Sequence, residues 1–224
     1  MAAEFDGTGP GARTRDGCSV ELYRRQAYAG EIEHLRPRLP AGTRVLELGC
    51  GAGLLAHRLL EFGCVVTGVD NSEQMLAHVS PRVRRVCADI EALALQERFD
   101  VVLLPSGLVN HADPAVRRAF VAAAARHVAA PGEVIVKRQD DAWLRTARIG
   151  PLGTSGALAI EVASVDRAGD VVRMTLRYEL AGETWTHAFC VEALDQAAVV
   201  TLLREHGFSA VQALDERGLW LAAT

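Results

Sequence analysis

The stretch Val45-Leu46-Glu47-Leu48-Gly49-Cys50-Gly51-Ala52-Gly53 runs an apolar segment straight into three glycines at two-residue spacing. Arg44 to Leu48 has the pattern of a short buried strand. Ala52 to Phe62 has leucines at 54, 55, 59 and 60 and is closed by Gly63, so it reads as a helix. Glycines between a strand and a helix let the backbone approach a ligand closely. The helix start adds free N–H groups and the positive end of the helix dipole. Two ligand classes suit such a loop. A dinucleotide pyrophosphate calls for G-x-G-x-x-G, whereas here the spacing is G-x-G-x-G and position 54 is Leu. The other class is a nucleoside with an aminoacyl tail. Its carboxylate and ammonium need backbone partners and a nearby acid such as Glu47.

Outward from this loop the chain alternates. Residues 64–69, 83–87, 99–104 and 133–137 read as further strands. Residues 72–79 and 114–129 read as helices, the second with Asp113 as N-cap and Pro114 at its first position. Strands alternating with helices imply a parallel sheet covered on both faces, an α/β fold. From residue 157 the rhythm changes. Three strand-like runs, 157–166, 170–180 and 183–191, are joined by Asp166–Asp170 and Ala181-Gly182 and predict a small antiparallel β insertion. A helix over 195–206 and strands over 208–214 and 218–222 end the chain. Residues 1–17, with four glycines and a proline, are expected to be a mobile tail. The remainder, 18–224, is expected to be one domain. Its parts are an N-terminal helix over 18–39, a nucleotide half over 40–138, the 157–191 cover and the closing segment 195–224.

Composition narrows the function. The chain has 224 residues, enough for a sizeable core, and half of them are apolar. Twenty-four basic residues, of which only Lys137 is a lysine, face 28 acidic ones, for a net charge of -4. That balance offers nothing to hold a phosphate backbone, so no nucleic-acid partner is expected. No apolar run is long enough for a bilayer, and the first residues lack a secretory pattern. The five cysteines include no CxxC pair and are expected to be reduced thiols in a cytoplasmic protein.

Asp70 lies seventeen residues after Gly53, at the end of the second strand. A carboxylate there can accept both ribose hydroxyls. Asp89 follows the third strand and can accept from an adenine amino group, with Ile90 packing beside the ring. Three successive strand ends thus carry a glycine loop, an Asp and an Asp, and ligands of open α/β sheets bind at those ends.

VLELGCGAG, TGVDNSEQML, CADIEAL, RFDVVLLPSG and PGEVIVK, in this order, resemble the successive motifs of class I S-adenosylmethionine-dependent methyltransferases. The resemblance spans about residues 40–138 and implies a Rossmann-like sheet with helices on both faces. It implies that Glu47, Gly49, Gly51 and Gly53 hold the methionine part, with Cys50 at a variable position of the same loop. Asp70 would bind the ribose, with Asn71 and Met75 lining the adenine side. Asp89 and Ile90 would flank the adenine, and Leu104 and Pro105 would close the pocket.

Methyl transfer needs an aligned acceptor, excluded water and a route for the acceptor's proton. His111 lies on the loop beyond the fourth strand. The stretch 105–111 resembles a segment of small-molecule N-methyltransferases of the amino-sugar and glycine-methylating kind, in which a histidine lies at the acceptor. His111 is therefore the first candidate for a base or an acceptor-positioning group. Tyr23, Tyr28, Asn110 and Trp143 are further candidates for the acceptor wall. His187 alternates with Trp185 and Phe189 on one strand face, which is either a substrate wall or core.

No metal is expected, because Asp140-Asp141 has no third acid at Pro105-Ser106. The expected activity is methyl transfer from S-adenosylmethionine to nitrogen, oxygen or carbon of a small molecule, such as a secondary metabolite. The cover is a candidate dimer contact. The alternatives are a non-catalytic binder of the same cofactor and an NAD-dependent oxidoreductase.

Overall fold

The structure, a computed structural model, describes residues 5–224. The elements in chain order begin with β1 (Asp6–Thr8), α1 (Val20–Arg25) and a 3₁₀ turn (Glu33–Arg38). Next come β2 (Arg44–Leu48), α2 (Leu54–Glu61), β3 (Val65–Asp70), α3 (Glu73–Leu76), β4 (Arg84–Cys87) and β5 (Phe99–Leu104). A 3₁₀ turn (Leu108–Asn110) leads to α4 (Pro114–His127), β6 (Val128–Lys137) and α5 (Asp141–Thr146). The chain closes with β7 (Gly150–Ser155), β8 (Leu158–Ala168), β9 (Val171–Leu180), β10 (Glu183–Glu192), α6 (Gln196–Glu205), β11 (Val211–Ala213) and β12 (Trp220–Ala223).

Seven strands form the main sheet in the order β11-β12-β6-β5-β2-β3-β4. The β6, β5, β2, β3 and β4 strands are parallel, while β12 runs antiparallel against β6. The chain moves from β2 to β3 and β4 on one side, then returns to lay β5 on the other. The crevice beyond the carboxyl ends of β2 and β5 is therefore the switch point where open sheets take ligands.

Side chains alternate across the sheet with a period of two. Leu46, Leu48, Val102, Leu104, Val134 and Val136 enter one core, against α4 and α6. Val45, Val101, Leu103 and Ile135 enter the other, against α2. Each such side chain, taken fully out of water, contributes about 1.5–3 kcal/mol. The helix starts follow their caps: Ser72 accepts from the Met75 N–H, Asp113 from the Ala115 N–H and Asp195 from the Ala198 N–H.

The cover is larger than the three runs predicted. It is a five-stranded antiparallel sheet in the order β1-β10-β9-β8-β7. Ala181 and Gly182, at φ 52° and 80°, make the tight β9–β10 turn. The expected mobile tail over 1–17 needs correction from Asp6 onward; residues 1–4 lie outside the described residues. An open edge of β10 carries unpaired backbone groups, and Asp6–Thr8 fills it. The fully buried Trp185 fixes the same segment by donating from Nε1 to the Pro10 carbonyl at 3.0 Å.

The helix expected over 18–39 is also corrected. Only Val20–Arg25 is α-helical, capped by Ser19. Gln26 turns the chain into extended geometry, and Gly30 sits at φ 92°, outside any right-handed helix. Among the described residues no helix is long and apolar enough to cross a membrane, and no group of three or more His, Cys, Asp or Glu has metal-holding geometry.

Candidate active site

Three cavities meet at the glycine loop, and Gly49 borders all of them. The first, about 240 Å³, lies on the α2 side of the loop. Glu47 and Lys137 both border it. The two-residue period explains this, because Glu47 shares its face with Val45, and Lys137 shares its face with Ile135. Glu47 is only 2% exposed and its Oε2 has no hydrogen-bond partner among the described residues. Burial, assisted by the Asp70 charge, pushes its carboxyl up to about 8. Lys137 lies over the Trp220 ring at 5.4 Å, and burial lowers its pKa. An unpartnered acid and the single lysine thus border one small cavity, which suits the two charges of a zwitterionic aminoacyl tail.

The loop itself is held by its neighbour strand. Gly49 and Cys50 donate their N–H groups to the Val69 carbonyl at 2.8 and 2.9 Å. Gly51 donates to Asp70 Oδ2 at 2.9 Å, and Ser72 donates to Asp70 Oδ1 at the same distance. The Asp70 carboxylate is thereby fixed in orientation and retains free lone pairs toward the cavities. Burial raises its pKa.

The second cavity, about 490 Å³, lies beyond Asp70 toward β4 and is walled by Asn71, Ala88, Ile90, Leu108 and Phe120. It has the apolar faces that a purine ring needs. Asp89 does not wall it. Its carboxylate takes Arg15 at 2.6 Å and Asn71 Nδ2 at 3.1 Å, and the Arg15 bond lowers its pKa. The Arg15 pair is exposed, so it is weak, and a competing donor can replace it.

The third cavity, about 350 Å³, opens between the loop and the cover. Tyr178, His187 and Phe189 of the cover face Gly51, Asp70, Met75 and His111 across it, with Asp16, Cys18 and Tyr23 at one side. Among the described residues, two carboxylates border it and no lysine or arginine does. His111 sits between the third and second cavities. Its ring stacks on Phe5 at 5.4 Å, and its Nδ1 accepts the Asp113 N–H at 3.1 Å. The neutral ring therefore carries its proton on Nε2.

Several expected site residues stand elsewhere. Tyr28 borders none of the three cavities; it bonds Glu33 and the Ile32 N–H beneath Arg58. Asn110 is fully buried and acts as a bracket, accepting from the Gln139 N–H at 2.7 Å and donating to the Glu192 carbonyl at 2.8 Å. Trp143 packs against the apolar layer beneath the cover. Leu104 is wholly in the core, whereas Pro105 borders the Glu47 cavity. Gly53 borders none of the three cavities; at φ 90° it starts α2 and has no room for a Cβ beside His57. Cys50 does border the Glu47 cavity, but its thiol lies against Gly68, where burial keeps it protonated.

Lys137, Asp16 and Tyr178 were not anticipated as site residues. Lys137 had one signal, as the only lysine at a strand end. The other two reach the site through the cover, which no local pattern connects to the loop.

Residues 45–132 match the family model described as a methyltransferase domain. Over 115 residues the chain is 36% identical to the ubiquinone biosynthesis O-methyltransferase of Idiomarina loihiensis, covering 46% of each chain. The chain thus spans about half the length of the curated relatives it matches. The sugar N-methyltransferase from Streptoalloteichus sp. superposes with a TM-score of 0.71 at 20% identity, covering 97% of this chain and 98% of that one. An S-adenosylmethionine-bound amino pentose methyltransferase from Micromonospora echinaspora gives 0.68 at 23% identity, covering 91% and 94%. Residues 45–132 thus match a methyltransferase domain, and the chain as a whole has the fold of these solved S-adenosylmethionine-dependent methyltransferases.

Proposed function

We propose that the protein transfers a methyl group from S-adenosylmethionine to a small acceptor bearing an amine. The cofactor fits the residues present. The unpartnered Glu47 oxygen would receive its ammonium, Lys137 its carboxylate, the fixed Asp70 its ribose, and the cavity beside Ile90 its adenine. When bound, it supplies a sulfonium methyl already activated for displacement, so the protein's work is alignment and exclusion of water.

The observation that carries the choice of acceptor is the lining of the third cavity. Aromatic walls and the carboxylates of Asp16 and Asp70, with no lysine or arginine among the described residues, favour a neutral or cationic molecule over a phosphate or carboxylate. Its volume, about 350 Å³, suits a single sugar-sized or amino-acid-sized molecule. His111, with its proton on Nε2, would donate a hydrogen bond and so position the acceptor.

The test pairs binding with transfer. Calorimetry should show heat with S-adenosylhomocysteine and none with NAD. Mass spectrometry of reactions with a panel of amino sugars and small amines, run beside phenols and carboxylates, should show methylated amines. The Asp70→Asn variant should bind S-adenosylhomocysteine about 10-fold or more weakly, the order for one lost hydrogen bond to a charged group. A wild-type protein that ignores S-adenosylhomocysteine would remove the reading, and methylation confined to phenols would remove the amine.

A further inference from the structure

An amine acceptor is an ammonium near neutral pH, and it must lose a proton before its lone pair can form a bond. The third cavity offers few groups to receive it. The Cys18 thiol is pushed up to about 12 by burial, and burial also raises the Tyr178 phenol. The Tyr23 phenol, against Cys18, is raised as well. All three stay protonated at neutral pH. The Asp16 carboxylate takes the Thr14 hydroxyl on one oxygen and the Cys18 thiol on the other. Asp70 holds two backbone N–H groups. The His111 lone pair at Nδ1 is occupied by the Asp113 N–H.

His187 differs. Its Nε2 lies 3.1 Å from the Asp16 main-chain carbonyl, which can only accept, so Nε2 carries the proton. The lone pair is then on Nδ1, which has no hydrogen-bond partner among the described residues. Burial also lowers the imidazole pKa, keeping the ring neutral at pH 7. Within the cover, its cross-strand neighbours Gly7 and Leu176 carry no charge. Among the described residues, the titratable groups around it are Asp16 and Cys18 from the N-terminal segment, with Tyr23, Asp70, Tyr178, Cys190 and His111 bordering the same cavity. A base fixed in one tautomer by a backbone carbonyl, with its other nitrogen free, is the arrangement proton abstraction requires.

We propose that His187, through Nδ1, is the base that takes the acceptor's proton, and that the N-terminal segment fixes its tautomer. The inference rests on the methyl-transfer reading above. In the balanced step, the N–H bond of the ammonium breaks and its proton passes to Nδ1. The freed lone pair bonds the methyl carbon while the carbon–sulfur bond breaks and leaves its pair on sulfur. The imidazolium then returns the proton to solvent.

Two measurements test this. In protein labelled with ¹⁵N-histidine, the His187 signals at pH 7.5 should report a neutral ring protonated at Nε2. A proton on Nδ1, or an imidazolium, overturns the proposal without any activity assay. The second uses His187→Gln, whose amide can still donate to the Asp16 carbonyl. With the amine that the wild type methylates fastest, kcat should fall about 10²-fold or more, as for loss of a general base. KM and S-adenosylhomocysteine affinity should hold within about twofold. The deficit should shrink as pH rises and solvent deprotonates the amine, which loss of a merely structural residue would not produce. Unchanged kcat in an active, cofactor-binding variant, or a loss confined to KM, overturns the proposal. A wild-type protein inactive on every amine sinks the underlying reading instead, so the two failures are distinct.

Discussion

Glu47 ties cofactor binding to a proton. A carboxyl raised from 4.5 to about 8 binds its proton more tightly folded than unfolded. Its contribution to stability is therefore fully present below about pH 4.5 and is lost as pH rises toward 8. In the free protein at pH 7, about nine molecules in ten carry the proton there. A ligand ammonium against the buried oxygen favours the ionised form, so binding should expel about 0.9 proton per site at pH 7. Only the ionised fraction binds well. That fraction rises about tenfold from pH 6 to pH 7, so affinity for S-adenosylhomocysteine should rise about tenfold, or about 1.4 kcal/mol. Calorimetry in buffers of different ionisation heat reads the released proton directly from the slope of apparent enthalpy. Glu47→Gln keeps the shape and removes the titration, so both the proton release and the pH slope should vanish. Wild-type binding with no proton release and a flat affinity between pH 6 and 7 would show that the ammonium does not lie at Glu47.

Lys137→Met should weaken S-adenosylhomocysteine by about 10-fold or more, as for loss of a charged hydrogen bond. It should leave 5′-methylthioadenosine, which lacks the aminoacyl tail, unchanged; equal losses for both ligands in parallel titrations would remove Lys137 from the tail site. Asn110→Ala should cost about 1–3 kcal/mol in urea unfolding, because it strands the Gln139 N–H, while the Glu192 carbonyl keeps the Leu194 N–H at 2.9 Å. A loss under about 0.5 kcal/mol would show that the bracket carries no stability.

The sequence alone determined the parallel sheet, its strand ends and the glycine loop with Asp70 one strand away. Those features follow from local rules: apolar runs of strand length, capped helices, and glycines where the backbone must turn and approach a ligand. The cap at Asp113 was legible for the same reason. Tertiary structure alone decided the acceptor side. Whether an edge strand is filled depends on which distant segment reaches it, so Asp6–Thr8 looked like free tail until β10 claimed it. Likewise Trp185, His187 and Phe189 share one strand face by the period of two, yet Trp185 is sealed in the core while the other two face a cavity. The difference lies in what packs opposite them: Leu22 and Leu158 against the tryptophan, open space before the histidine. Tyr28 and Asn110 failed as wall residues for the converse reason, since nearness in sequence to a site says nothing about which way a side chain finds its hydrogen bonds. Local chemistry wrote the nucleotide half, and long-range packing of the cover and N-terminal segment wrote the acceptor cavity.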